Sequence, residues 1–382
     1  MAFSFAFSGD DIDAATQREL ELTSPPATTT TTTSAFPVAG KPQLPPTNHP
    51  LADLLARLPS KIAYDFVDLT LDDGSPLRIP RRELWDVRVQ LMAEDGDDDD
   101  GRAAEGLGEH DVKTGVYEGG FKSWESSVDL VKVLASQSHP STLQQRSPVR
   151  SIELGCGTAL PSLALFQWAL ALDATPPPQP FTFILADYNP SVLQLVTMPN
   201  FLLAWALHHH HRHHHRHPAL HDAFSADGEL EITPELLQAF QESLRERNMT
   251  LAFLSGGWSQ GFVELLYGLP DSSAQDRSPA PGVTLLLGAE TIYSPFALEA
   301  FNETMFAILR REQAVSAVHA TAFVAAKRLY FGVGGSLDDF VDKARAKGAT
   351  VVKLREEVDG VARGVVRCEL PTVASDQHMT DG

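Results

Sequence analysis

Val149-Arg150-Ser151-Ile152-Glu153-Leu154-Gly155-Cys156-Gly157-Thr158 is the stretch whose reading decides the fold of this chain. A short apolar strand ends in an acid, and a tight glycine turn then opens a helix expected from about Leu160 to Leu172. Gly155 and Gly157 remove side chains where the chain must bend and where a ligand must approach the backbone. The acid carries the most information. A dinucleotide site places a phosphate at the helix N-terminus and keeps carboxylates away from it. Here Glu153 precedes the first glycine, and Leu160 stands where G-x-G-x-x-G has its third. A cationic ligand without phosphates suits such a turn. S-adenosyl-L-methionine fits, with a sulfonium and an ammonium to set beside a carboxylate. An ordinary strand-to-helix turn is the plain alternative.

A second acid points the same way. Phe181-Thr182-Phe183-Ile184-Leu185-Ala186 is a β-favouring run ended by Asp187-Tyr188-Asn189-Pro190. In doubly wound folds an acid at the carboxyl end of the next parallel strand grips a ribose through its hydroxyls. Alone, Asp187 would read as a helix cap. Following the glycine turn by one helix and two loops, it reads as the ribose acid.

The 382 residues suffice for one large domain with extensions, or for two domains, and 43% hydrophobic content supplies a sizeable core. A net charge of −20 argues against broad nucleic-acid affinity, which needs an electropositive surface. Cys156 and Cys368 are too few for a disulfide framework and point to a reducing compartment. The start, Met1 to Phe7, lacks the basic region and long apolar core of a secretory signal. No uninterrupted apolar run reaches transmembrane length, so a soluble intracellular chain is expected.

Residues 1–62 read as mostly disordered, with a Thr28–Thr33 run among prolines. Phe3, Phe5 and Phe7 stand out there as an edge strand, a peptide-like anchor or simply an apolar terminus. Residues 63–112 form an N-terminal extension: a strand over Tyr64–Leu69, a helix over Arg82–Met92, and an acidic loop around Asp97–Asp100. The main domain is placed at 113–373, with a flexible tail at 374–382. Its elements are a helix from Ser126 to Leu134, the glycine-turn strand, the Asp187 strand and a helix running to Leu207. Strands follow at Leu251–Ser255, Val283–Leu287 and Ala320–Ala326, then a terminal pair at Thr350–Leu354 and Gly364–Leu370. Strands alternating with helices indicate an α/β, doubly wound, mainly parallel seven-stranded sheet, the late pair forming an antiparallel edge hairpin. The histidine run His208–His217 invites a metal reading, but adjacent residues cannot all face one ion. It reads instead as part of a low-complexity insertion near 208–248, and no metal is expected.

The third constellation ends the fourth strand: Leu287-Gly288-Ala289-Glu290-Thr291-Ile292-Tyr293. An acid and a tyrosine at the carboxyl edge of the sheet can wall a substrate side chain. A capping acid and a core aromatic are the plainer roles for Glu290 and Tyr293. The Asn/Asp-Pro-Pro-aromatic tetrapeptide of nucleic-acid amino-methyltransferases is not at this place.

The acid-x-x-Tyr pattern of Glu290–Tyr293 is typical of seven-strand methyltransferases acting on protein side chains. Several segments together resemble the eukaryotic protein-histidine N-methyltransferases, the fungal ones in particular. They are Tyr117–Glu125, Ile152–Pro161, Asp187-Tyr188-Asn189, Leu195–Asn200, Ser255-Gly256-Gly257-Trp258, Glu290–Tyr293, Ala325-Ala326-Lys327 and Tyr330–Ser336. The phenylalanine-rich start and Arg82–Val87 also match, so the likeness spans most of the chain from Tyr117 to Leu370. It implies a Rossmann-like class I methyltransferase fold and transfer of a methyl group from S-adenosyl-L-methionine to the tele nitrogen of a histidine. The histidine would belong to a large-subunit ribosomal protein, linking the chain to ribosome biogenesis and translation in cytoplasm and nucleus. A monomer is expected, with no direct nucleic-acid or membrane contact. By the same resemblance, cofactor contacts fall on Ser123, Trp124, Glu125, Ser126 and Ser127. The others are Glu153, Gly155, Cys156 and Gly157; Asp187, Tyr188 and Asn189; Gly256, Gly257 and Trp258; and Ala289. Two positions depart from the family: Ser126 stands where relatives often carry cysteine, and Gly257 where animal relatives carry an acid.

Imidazole, with an unperturbed pKa of about 6.5, keeps a free lone pair at neutral pH and needs alignment more than deprotonation. Glu290 is the residue expected to accept the N–H of the other ring nitrogen and so fix the tautomer, with Tyr293 beside it. A lysine acceptor, at about 10.4, would need a proton removed or a desolvated pocket. The competing readings are a lysine methyltransferase of the same architecture and a non-catalytic factor that binds a nascent ribosomal protein.

Overall fold

Alternate residues of the central strands are apolar on both sides, and the fold follows from that. Phe183 and Leu185 enter one core, while Ile184 and Ala186 enter another on the opposite face of the same sheet. A strand buried on both faces must be covered by helices twice over. The computed structural model describes residues 43–94, 120–137, 147–172, 179–211, 218–221, 223–224, 227–269, 282–315, 318–330 and 334–371. Phe3, Phe5 and Phe7, the Thr28–Thr33 run, the Asp97–Asp100 tract, Tyr117–Gly119, His213–His217, Phe331–Val333 and the 374–382 tail lie outside the described residues.

The described chain begins with β1 (Thr47–His49) and α1 (Leu51–Ala56). A hairpin of β2 (Lys61–Thr70) and β3 (Pro76–Arg82) leads into α2 (Leu84–Glu94). The main layer-building sequence is α3 (Glu125–Ser136), β4 (Val149–Leu154), α4 (Leu160–Ala171) and β5 (Phe181–Asp187). After β5 a helical turn at Pro190–Val192 and a π segment at Leu193–Thr197 run into α5 (Met198–His211). Then come β6 (Glu229–Glu231), α6 (Pro234–Glu246), β7 (Met249–Ser255) and α7 (Gln260–Tyr267). The chain continues through β8 (Gly282–Ala289), α8 (Pro295–Gln313), β9 (Val318–Lys327), α9 (Leu337–Ala346), β10 (Thr350–Glu357) and β11 (Arg363–Glu369).

The large sheet has eight strands, ordered β1-β7-β5-β4-β8-β9-β11-β10. This corrects the expected seven. The five strands β7, β5, β4, β8 and β9 are mutually parallel, and β11 runs antiparallel between β9 and β10. The extra strand is β1, which pairs antiparallel with the end of β7, Thr47 opposite Ser255. The stretch expected to be mostly disordered thus ends in ordered structure from residue 43 on. Three residues between Pro46 and Pro50 carry no strand signal of their own; the free edge of β7 supplies it.

The N-terminal extension departs from the expected helix boundary. Arg82 closes the β2–β3 ladder opposite Tyr64 and donates its N–H to Asn200 Oδ1 at 2.7 Å. The helix therefore starts at Leu84. Buried Arg82 also binds Asp86 at 2.7 Å and the Leu195 carbonyl at 3.0 Å, fastening the extension to the segment that follows β5.

The insertion expected near 208–248 is largely structure. His208 to His211 form the end of α5, with the His209 ring 5.3 Å from Trp205 and the His210 ring 4.5 Å from Phe224. β6 pairs with β2, Lys61 opposite Glu231, in a three-stranded sheet β3-β2-β6. Thr233 caps α6 by accepting from Leu236 N–H, and Leu236, Phe240 and Leu244 recur at helical spacing on its buried face. Burying one such phenylalanine is worth about 1.5–3 kcal/mol, enough to hold the segment despite its polar flanks. No cluster of metal ligands occurs among the described residues. Among the described residues one helix, Pro190–His210, is long and apolar enough to cross a membrane, a run broken in sequence by polar residues such as Gln194 and Asn200. Its apolar window is 83% buried, as in the core helix of a globular protein.

Candidate active site

The carboxyl ends of β4, β5 and β8 open onto a cleft. Its floor is the glycine turn. Gly155 and Gly157 take φ of +65° and +50°, and a methyl group on Gly155 would stand 2.6 Å from Thr291 Cγ2. Ala159 follows in the left-handed region and α4 begins, with Pro161 in its first turn, where the missing N–H costs nothing. Thr197 fastens the turn from the side, its hydroxyl donating to the Gly157 carbonyl at 2.6 Å.

Glu153 is buried, and its Oε2 accepts the Ser162 N–H at 3.0 Å. The acid that was expected to favour a cation also caps α4. Burial first, and the charge of Asp187 with it, push its carboxyl up to about 8 against the hydrogen bonding of Ser162. Asp187 is held at both oxygens, by Gly157 N–H at 3.0 Å and Asn189 N–H at 3.1 Å. Cys156, between the two glycines, has its thiol pushed well up by burial and by Asp187 and Glu153, so it stays protonated.

The far wall is built around Glu290. It adopts φ of +59°, a conformation that costs a non-glycine residue about 1–3 kcal/mol and collects at functional sites. Side chains over-determine it: the Ser126 hydroxyl donates to Oε1, and the Tyr330 phenol donates to Oε2 at 2.5 Å. Burial raises the Glu290 carboxyl above its usual range, while these two hydroxyls and the Lys327 charge pull it back. Tyr330 is buried and its phenol is pushed well above its ordinary range by burial and by Glu290, so it remains a donor. Lys327 lies over the Trp124 ring at 5.0 Å and the Tyr330 ring at 5.7 Å.

Most residues singled out from sequence meet here. Trp124, just before α3, and Ser127 within it line the cleft, as do Gly155, Cys156 and Gly157 of the turn. Asp187, Tyr188, Asn189 and Trp258 line one side; Ala289, Glu290 and Tyr293 line the other. Ser123, Glu125, Ser126, Gly256 and Gly257 do not line it. Ser123 bonds Thr158 at 2.9 Å, and Glu125 is exposed and pairs with Arg363 at 3.3 Å. Ser126 acts through Glu290, and Gly256 and Gly257 lie beneath the segment Gln43–Pro45. Sequence reasoning missed Gln43, Thr291 and Tyr330. A tyrosine just past another carboxyl edge, that of β9, was the available signal for Tyr330; Gln43, in a proline-rich stretch, had none.

No protein-family model matches the chain. It is similar to Histidine protein methyltransferase 1 of Saccharomyces cerevisiae, 33% identical over 97% of this chain and 98% of that protein. Histidine protein methyltransferase 1 of Schizosaccharomyces pombe is also 33% identical, over 76% of this chain and 74% of its own length. The Bos taurus homolog is 25% identical over 68% of this chain and 56% of its own. Among solved structures, magnesium protoporphyrin IX methyltransferase (ChlM) from Synechocystis PCC 6803 with bound SAM covers 75% of this chain at 11% identity and a TM-score of 0.28.

Proposed function

The chain belongs to the histidine protein methyltransferase family, and on that premise we propose that it methylates a histidine side chain of a large-subunit ribosomal protein at the tele nitrogen, with S-adenosyl-L-methionine as methyl donor. The observation that carries the reading is the charge of the cleft. Glu153, Asp187 and Glu290 line it with Lys122 as its one lining base among the described residues. Three carboxyl groups, with Glu153 ready to give up its proton to an arriving cation, favour a cationic ligand over a phosphorylated one. The glycine turn would pass beneath the methionine part, and Asp187 would face the ribose. When bound, S-adenosyl-L-methionine supplies a methyl carbon already activated by its sulfonium.

The chain's own work is then alignment. Glu290 keeps lone pairs beyond those taken by Ser126 and Tyr330, since a carboxylate offers about four acceptor sites. One of them would accept the N–H of the substrate imidazole, leaving the other nitrogen with its lone pair toward the donor. The same negative charge would stabilise the imidazolium as it forms. Tyr293 and Trp124 would wall the ring. A chain of net charge −20 suits a basic ribosomal client, and a monomer working in cytoplasm and nucleus completes the reading. Mass spectrometry of ribosomal proteins from cells lacking the chain tests it: one histidine should lose its methyl group. Loss from a lysine would instead favour a lysine methyltransferase of this architecture. Intact marks with an assembly defect would favour a binding factor.

A further inference from the structure

The N-terminal segment before β1 crosses the cleft mouth and brings a side chain into it. Leu44 N–H donates to the Tyr188 hydroxyl at 3.0 Å, and Leu44 O accepts from Gly257 N–H at 2.9 Å. Beyond it, β1 pairs with β7 and His49 Nε2 lies 2.7 Å from Ser255 Oγ. The segment is thus pinned on both sides of the strand ends that flank Asp187. Gln43, the first described residue of this segment, lines the cleft with Tyr188, Asn189 and Trp258. Its carboxamide occupies the space a side chain at 257 would fill: a methyl group on Gly257 would stand 2.0 Å from Gln43 Oε1. Gly256 allows the crossing itself, because a methyl group there would stand 2.4 Å from the Pro45 carbonyl oxygen. The sequence therefore clears two successive side chains at the end of β7 and lays one glutamine over the gap.

We propose that Gln43 is the specificity residue for the base of the donor nucleoside. A carboxamide carries a donor and an acceptor in one plane, which matches the N6 amine and N7 of a 6-aminopurine, an edge at which a 6-oxopurine offers two acceptors instead. Asp187 marks the ribose side of the cleft, and Gln43 packs against Gly257 just past the end of β7, the next strand outward, where the base of that nucleoside falls. Trp258, directly after Gly257, gives the base an aromatic neighbour. The inference rests on the reading of the donor as an adenosyl compound.

Calorimetric titration of the full chain with S-adenosylhomocysteine and its 6-oxo counterpart, S-inosylhomocysteine, tests it. Wild-type protein should prefer the adenosyl compound by about tenfold or more, the scale of a mismatched hydrogen-bond pair. Gln43→Ala should bind the adenosyl compound about tenfold more weakly and bring the ratio of the two near one. Gly257→Ala, whose methyl group would displace the Gln43 amide and stand 3.0 Å from the Gln43 Cβ, should reproduce that loss, and the double variant should add little to it. The base preference is the decisive readout, since mere loosening of the segment would weaken both ligands alike. Full discrimination in a folded Gln43→Ala or Gly257→Ala protein overturns the assignment while leaving the donor reading intact. Wild-type protein that binds neither compound overturns both.

Discussion

At the glycine-turn end of the cleft, Glu153 and Asp187 are held by main-chain N–H groups, those of Ser162, Gly157 and Asn189. At the opposite end Glu290 is held by side chains, the hydroxyls of Ser126 and Tyr330, 164 and 40 positions away in the chain. The first arrangement is written into the turns themselves. Most side-chain replacements around it leave the donors in place, so it suits an invariant task such as gripping a cosubstrate. The second depends on three separate elements and changes with any one of them. An acceptor pocket built this way can be tuned to its substrate without disturbing the other end.

The contrast is broken most directly at Glu290. Glu290→Gln should slow methyl transfer on the order of 100-fold, the scale of losing one preorganised electrostatic contact. Donor affinity should change little, because no main-chain donor of the turn is touched. Single-turnover rates and calorimetric donor binding measure the two separately. A Glu290→Gln enzyme of wild-type rate would remove Glu290 from the acceptor end.

Asp187→Ala probes the other end and should do the converse. Donor binding should weaken by about 1–3 kcal/mol, the value of a hydrogen bond to a charged group, while the rate at saturating donor stays close to normal. Undiminished affinity would mean that the main-chain-held acids do not face the nucleoside.

The same contrast governs what could be read in the sequence. Strand, acid, glycine turn and second acid are local patterns, and Glu153 to Gly157 with Asp187 to Asn189 came together as their spacing implied. Glu290 and Tyr293 were visible for the same reason, as the end of an apolar strand. That the Ser126 hydroxyl and Tyr330 phenol converge on Glu290 depends on β8 and β9 being neighbours with α3 packed beside them, which no spacing reveals. β1 escaped because three residues between prolines become a strand only against the edge of β7. α6 was hidden for a different reason. Thr233 as cap and Leu236, Phe240 and Leu244 at helical spacing are a legible helix, but the neighbouring histidine run drew the whole stretch into one low-complexity reading.

Tyr330→Phe sharpens the comparison at smaller scale. It removes one of the two hydroxyls on Glu290 and keeps the ring that Lys327 lies against. The methyl-transfer rate should fall about five- to tenfold, for a bond worth about 1–1.5 kcal/mol, with donor affinity unchanged. Loss of a donor also leaves the carboxylate less stabilised, so the acidic limb of the rate profile should move to higher pH. An unchanged profile would show that the Tyr330 bond does not reach the reacting end.

The smallest expected effect belongs to Glu153, and it separates capping from charge. Its carboxyl is pushed up to about 8 in the folded chain, above the range of an unfolded glutamate. The folded state therefore holds a proton that the unfolded state has lost. That contribution to stability is complete below the unfolded pKa, declines above it, and is gone once pH passes about 8. A cationic donor settling into the cleft favours the ionised form, so binding at pH 7 should release a fraction of one proton. Calorimetry in buffers of different ionisation enthalpy reads that fraction as a slope. Glu153→Gln keeps an oxygen for the Ser162 N–H but has no proton to give, so the slope should vanish while α4 stays capped. A slope that survived in Glu153→Gln would assign the released proton to another group, with Glu153 left as a cap alone.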